Sequence, residues 1–300
     1  MLKVAWNKHY AHKLPVGHRF PMEKYDLLPE QLLHEGTLTE ESFFDPECIS
    51  EERVLRVHSN EYLAKLMNCQ LSKKEERATG FPLSNQLVKR ELMISQGTIQ
   101  AVDFAIQSGV SGNIAGGTHH AYRDRGEGFC LLNDIAIGSS YALNELRLKK
   151  ILVVDLDVHQ GNGTAKIFEN NPYVFTFSMH GAKNYPLHKE KSDLDIPLPD
   201  GTTDLEYLKI LRETLPDLMD EVSPDLIFFQ SGVDILDSDK LGRLALTING
   251  SKQRDLIVFS EAKKRGIPVV FNMGGGYSKK ISIIIEAHAN TYRIARDLHF

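Results

Sequence analysis

Short apolar runs alternate with longer amphipathic segments along the chain. The runs are KVAW near Lys3, GNIAGG near Gly112, ILVVDLD from Ile151, YVFTFSM from Tyr173, DLIFFQS from Asp225 and IPVVFNM from Ile267. Several are apolar at consecutive positions rather than at every second one, which predicts strands of a parallel sheet covered by helices on both faces. The segments between them carry apolar residues at helical spacing: Met22 to Glu35, Gln86 to Ser108 closed by Gly109, and Asp134 to Leu148 with Asn133 or Asp134 as cap. Leu205 to Glu221, Gln253 to Arg265 closed by Gly266, and about Ser278 to Leu298 complete the set. Pro29 predicts a break in the first of these and Pro216 a kink or split in the fourth. The polar stretch 70–85, QLSKKEERATGFPLSN, reads as a surface loop. Repeated strand-then-helix order, with no low-complexity linker and no internal repeat, predicts one α/β domain over residues 1–300 with right-handed crossovers.

Composition narrows the function classes. The 300 residues are 42% hydrophobic and 25% charged, with a net charge of −5. That is an ordinary soluble balance, and the absence of a long basic block argues against direct nucleic-acid binding. No apolar run approaches membrane-spanning length, and MLKVAWNKHYAHKLP lacks the apolar core of a signal peptide. The three cysteines, Cys48, Cys69 and Cys130, are scattered and form no CxxC. They fit a reducing compartment and supply neither a disulfide scaffold nor a thiolate zinc site. The expected location is the cytoplasm, with no membrane partner.

The unusual residues follow the strands. His119 and His120 come after GNIAGG; Asp155, Asp157 and His159 end or follow ILVV; Ser178 and His180 end VFTFSMH. Asp234 follows LIFFQSGV, and Gly274-Gly275-Gly276-Tyr277 follows IPVVFNM. Taken singly each has a plain structural reading: a helix cap, a hydrogen-bonded core histidine, a turn. Together they must hold at five strand ends, and open parallel sheets bind ligands outside the carboxyl ends of their strands.

The spacing then suggests a metal. Asp157 and His159 are two residues apart and share a side if the chain stays extended. An oxygen and a nitrogen ligand side by side make half a zinc site, and Asp234 is the natural third ligand. Three protein ligands leave a position open for water and substrate, the mark of a catalytic site. A divalent cation also offsets the buried carboxylate charge. On this reading Asp155 points to the opposite side of the strand, as a supporting residue or the ligand of something else. The tandem His119-His120 would flank a water and move its proton. Tyr277 would offer its phenol to a developing oxyanion. These parts add up to metal-assisted hydrolysis of a carbonyl compound.

The stretches GGTHHAYRDRGEGFCLLND, DLDVHQGNGT, FSMHG, SGVDILDSDKLGRL and MGGGY resemble, in order, the motifs of the zinc-dependent histone deacetylase family. That family also holds bacterial acetylpolyamine amidohydrolases and acetoin-utilisation proteins. The chain looks closest to class IV-like and bacterial members. The resemblance implies a single-domain arginase/deacetylase-like α/β fold with a central parallel sheet of about eight strands. It implies one Zn2+ on Asp157, His159 and Asp234, proton transfer by His119 and His120 with His120 as principal shuttle, and carbonyl polarisation by Tyr277. It implies an acyl tunnel walled by Phe129 and Tyr185, with Leu241 at its rim and Gly128, Gly275 and Gly276 along it. It also implies K+ beneath the site, held by Asp155, Ser178 and the carbonyls of Asp157, His159 and Met179. The substrate would be an N-acyl amine, acyl-lysine or acylpolyamine, and hydroxamate-type inhibitors are expected to bind.

Two departures bear on chemistry. Many relatives carry HHGDG where this chain has His159-Gln160-Gly161-Asn162-Gly163, so the acid that would pair with His120 is replaced by Asn162. A neutral partner raises an imidazole pKa less than a carboxylate does. Nor is there an equivalent of the acidic loop residue with which class I enzymes grip a peptide backbone. Three readings stay open: an acyl-lysine deacylase, an acylpolyamine or other small-molecule amidohydrolase, and a non-catalytic metal- or acyl-binding module. A two-manganese ureohydrolase would want further bridging carboxylates near Asp234, where the chain reads Asp234-Ile-Leu-Asp237.

Overall fold

A computed structural model describes all 300 residues. Eight strands form one sheet in the order β2-β1-β3-β8-β7-β4-β5-β6, and every pairing is parallel. They are β1 Lys3–Ala5, β2 Phe43–Phe44, β3 Val110–Asn113, β4 Ile151–Asp155, β5 Val174–Gly181, β6 Leu194–Leu198, β7 Leu226–Gln230 and β8 Val269–Asn272. The helices are α1 Lys24–His34, α2 Glu51–Leu55, α3 Asn60–Met67, α4 Lys73–Thr79, α5 Asn85–Ser108, α6 Asp134–Asn144, α7 Asn162–Phe168, α8 Asp204–Val222, α9 Ile248–Arg265 and α10 Ile281–His299. None is long and apolar enough to cross a membrane.

Five of the six runs are β1, β4, β5, β7 and β8; the sixth, GNIAGG, meets its strand β3 only at Gly112 and Asn113 and otherwise forms the strand exit. Strands β3, β4, β7 and β8 are buried at every position, as two-sided coverage requires. The two strands without a legible signal are edges. β2 has two residues, and β6, LDIPL, is partly exposed and contains Pro197. Edge strands need neither a continuous apolar run nor every backbone donor.

Three local expectations need correction. Residues 70–85 are not all loop, because α4 lies within them. Its apolar periodicity is poor, but Ser72 and Glu75 form a reciprocal capping box and Gly80 closes it in the left-handed conformation. Pro29 does not break α1. The carbonyl its missing N–H would have met, that of Tyr25, instead accepts from Trp6 Nε1 at 2.8 Å. Pro216 likewise sits inside an unbroken α8.

The sheet order positions the site. β8 and β7 lie between β3 and β4, so the carboxyl ends of β3, β8, β7, β4 and β5 are consecutive along one edge. These are the five strands whose exits carry the unusual polar residues. The β3 exit is held by Asp134 at the start of α6, whose carboxylate accepts from the backbone N–H groups of Gly117 and Thr118 and from the hydroxyls of Thr118 and Thr98. Gly117 turns the chain there at φ +101°, a conformation that side chains resist.

Candidate active site

The structure brings Asp157, His159 and Asp234 together: one ligand atom from each lies within 4.8 Å of the others. Continued extension is not what aligns Asp157 with His159. β4 stops at Asp155, and the chain then turns twice on aspartate side chains. The Asp157 N–H donates to Asp155 Oδ1 at 3.2 Å and the His159 N–H to Asp157 Oδ1 at 3.0 Å. Strand alternation would in fact put Asp155 on the same face as Asp157; it is these turns that separate them. Each proposed ligand carboxylate is aimed by a backbone donor from a neighbouring strand exit. Gly275 N–H holds Asp157 Oδ2 at 2.8 Å, and Val158 N–H holds Asp234 Oδ1 at 3.0 Å. A Cβ at Gly275 would collide with the Asp234 carboxylate and crowd Asp157 Oδ2 at 3.0 Å, so this close approach requires glycine.

The donor set suits a divalent cation. Asp157, His159 and Asp234 are all buried, and His159 Nδ1 stands 3.1 Å from an oxygen of each carboxylate. Burial opposes both negative charges. His159 nevertheless holds Asp157 well below the ordinary carboxylate range. Asp234 is pushed up to about 7 by burial and then by the charge on Asp157. One imidazolium does not balance two buried carboxylates; a dication on the same three atoms would.

The two histidines are driven apart in basicity. His119 Nδ1 faces Asp155 Oδ2 at 2.7 Å and His120 Nδ1 faces Asn162 Oδ1 at 2.6 Å. Burial works against a charge on His119, but Asp155 and then Asp157 outweigh it and raise the imidazole to about 9. Burial and the neighbouring His119 and His159 cations push His120 well below the usual imidazole value. The two neighbouring imidazoles are thus shifted in opposite directions.

The orientation of Asn162 is set from outside the motif. Asn162 Nδ2 donates to the Tyr122 hydroxyl at 2.9 Å, and that hydroxyl donates to Glu190 Oε1 at 3.2 Å. A carboxylate only accepts, so the single phenolic proton goes to Glu190 and the phenol oxygen must accept from Asn162. The amide oxygen then faces His120, which therefore carries its proton on Nδ1 and leaves Nε2 as an acceptor. Buried Gln160 clamps the Glu190 backbone from both sides, accepting from its N–H at 2.9 Å and donating to its carbonyl at 2.7 Å. Both departures from the HHGDG pattern thus meet at Glu190. Asn162→Asp is expected to raise the His120 pKa. The neutral base is then lost at higher pH, so the acid limb of the kcat/KM profile moves upward; an unmoved limb would disconnect this pair from proton transfer.

Tyr277 follows the β8 exit. Its backbone N–H donates to Asp239 Oδ2 at 2.6 Å, while Asp239 Oδ1 accepts from the N–H groups of Leu241 and Gly242. Burial, with Asp234 and Asp157 nearby, holds the phenol pKa well above its ordinary value, so the hydroxyl keeps its proton. Buried Lys24 donates to the Gly274 carbonyl at 3.0 Å and fixes the start of the same loop.

A cavity of about 650 Å³ runs from His120, His159 and Tyr277 outward past Gly128, Phe129, Tyr185 and Leu241. The two glycines expected along the tunnel are placed differently. Gly275 lines a smaller space of about 40 Å³ that shares His120, Gly128, Phe129, His159 and Tyr277 with that cavity. Gly276 borders neither, because a Cβ there would meet Val233 Cγ2 at 2.7 Å, toward the core. Asp155 and Ser178 are register partners on β4 and β5. Ser178 Oγ is 2.9 Å from His180 Nδ1.

The residues that sequence reading missed are Tyr122, Gln160, Glu190, Asp239 and Lys24. Tyr122 and Asp239 lay inside quoted motifs without being singled out; Glu190 lay in a loop with no signal.

A profile of the histone deacetylase domain matches residues 18–292. The chain is 42% identical over 296 residues to an uncharacterized protein of Picosynechococcus, covering 99% of each. It is 32% identical to Histone deacetylase 2 of Arabidopsis thaliana over 277 residues, which is 89% of this chain and 72% of that one. The crystal structure of an HDAC homolog from Aquifex aeolicus superposes with a TM-score of 0.84 at 25% identity, covering 98% of this chain and 84% of the other.

Proposed function

Since the chain belongs to the histone deacetylase family, we propose that it is a zinc-dependent deacylase hydrolysing N-acyl amides, acyl-lysine in proteins or peptides foremost. The observation that carries this reading is the convergence on one cavity of a buried Asp-His-Asp group, two histidines of opposite basicity and a protonated phenol.

Asp157, His159 and Asp234 would hold the cation, whose chemistry is Lewis acidity: it polarises a carbonyl and brings the pKa of a water beside it towards about 7. The chain's own groups do the rest. The acyl chain lies against Phe129 and Tyr185 and brings its carbonyl to Tyr277, which donates a hydrogen bond to the oxygen as charge develops there. Neutral His120 accepts the proton of the attacking water at Nε2. Protonated His119 supports the charge that builds beside it, and the amine leaves with the proton returned through His120. Water adds across the C–N bond, giving a carboxylate and a free amine. Asp155, Ser178 and the carbonyls of Asp157, His159 and Met179 would hold K+, a reading supported by the register pairing of Asp155 with Ser178.

Chelated protein should lose turnover of acetyl, longer-acyl and acylpolyamine substrates and regain it with zinc. A hydroxamate should inhibit the restored enzyme by competing for the cation. Zinc at about 100 times its Kd should add about 2.7 kcal/mol of stability, a rise in Tm of about 5 °C. Absence of metal-dependent turnover across the panel would end the deacylase reading, and an unmoved Tm would end the metal site.

A further inference from the structure

The mouth of the cavity has a charge opposite to that of the protein. The chain carries a net charge of −5, yet the cavity is lined at its outer end by Arg19, Arg77, Lys183 and Arg243 against one carboxylate, Glu127. These four cations are exposed, whereas the floor residues His120, His159 and Tyr277 are buried.

The one acid is already engaged. Glu127 accepts from the Tyr185 hydroxyl at 2.7 Å and from Arg125 Nε at 2.9 Å. Just outside, Asp200 is shared by Arg243 at 3.2 Å and Lys183 at 3.8 Å, so a single carboxylate serves two cations. Arg19 lies 5.2 Å from the centre of the Phe129 ring, and Arg77 Nε donates to the Lys73 carbonyl at 3.0 Å. Their neighbours are a ring and a carbonyl rather than a carboxylate. Both keep a full charge facing whatever enters.

Building on the deacylase reading, we infer that the site selects N-acyl amines whose amine half carries carboxylates, in the first place acyl-lysine within acidic peptide sequence, and disfavours acylpolyamines. With the acyl group in the tunnel and the carbonyl at Tyr277, the amine half must lie in the cationic mouth. A polyamine would bring further ammonium groups among the four cations, with no free acid to receive them. Aspartate or glutamate beside the acyl-lysine would meet guanidinium groups that fork onto carboxylates. Each exposed pair contributes modestly, but like charges around a concave mouth reinforce one another and concentrate ligands of the opposite sign.

The test uses zinc-loaded protein and acetyl-lysine peptides of one length with acidic, neutral or basic flanks, alongside a monoacetylated polyamine. The acidic peptide should exceed the basic one in kcat/KM by about tenfold at low salt. The gap should close near 1 M salt, where the screening length falls to about 3 Å. The double variant Arg19→Glu, Arg77→Glu should reverse the order of acidic and basic peptides. Equal or basic-favouring rates, or an order unchanged by the double variant, would overturn the inference. Anisotropy of the same peptides, fluorescein-labelled, reads the preference without catalysis. If nothing is turned over, the deacylase reading falls, while the order of binding still decides the charge preference.

Discussion

Tyr277→Phe should lower kcat/KM for an acetyl-lysine peptide by about 10²–10³, the usual cost of one oxyanion donor. The phenol lies at the floor of the cavity, and burial, with Asp234 and Asp157 nearby, keeps it protonated. Its backbone is pinned separately, through Asp239, so the Phe ring should take the same place between Phe20 and Phe129, which stand 6.1 and 6.0 Å away. The loss should therefore appear in kcat, with hydroxamate affinity and the melting curve changed far less. A Phe variant within a few-fold of the parent would remove Tyr277 from the chemistry.

Arg254→Ala should destabilise the fold by about 3–5 kcal/mol, read as a lower urea midpoint at unchanged slope. Arg254 and Asp255 on α9 are both fully buried and paired at 2.7 Å. The guanidinium also donates to the carbonyls of Leu156, Ser231 and Gly232. Leu156 is in the β4 exit, one residue before Asp157, and Ser231 and Gly232 are in the β7 exit leading to Asp234. Alanine leaves the Asp255 charge and three carbonyls unpaired inside the protein. It also loosens the two loops that carry the carboxylates, so zinc affinity should fall with stability. Arg254→Lys should recover part of the loss by restoring the charge without the fork. Stability within about 1 kcal/mol of the parent would mean that the loops hold themselves.

Much of this protein could be read before it was folded. Strands buried on both faces announce themselves as apolar runs, which is why β4, β7 and β8 were legible and the edges β2 and β6 were not, while β3, Val-Ser-Gly-Asn, was met only at its last two residues. Charged residues at the ends of buried strands are costly without a purpose, so Asp157, His159 and Asp234 stood out. The supporting residues did not. Tyr122 reads as one aromatic among many, Glu190 as a solvated loop acid, and Arg254 with Asp255 as the polar start of an amphipathic helix. Their roles depend on which backbone carbonyl or side chain lies opposite, and sequence distance carries no such information.

The sequence by itself determined the α/β class, the strand ends where chemistry collects and the family motifs that mark the site, because periodicity and the cost of buried charge are local properties. The tertiary structure decided which groups face one another. The strand order brought five exits to one edge, Asx turns rather than extension aligned Asp157 with His159, and the Glu190–Tyr122–Asn162 chain set the tautomer of His120. It also gathered Arg19, Arg77, Lys183 and Arg243 around one mouth in a chain of net charge −5. Directed hydrogen bonds reach about 3 Å and charge fields about 10 Å at 0.1 M salt, so they act between residues that only the fold makes neighbours.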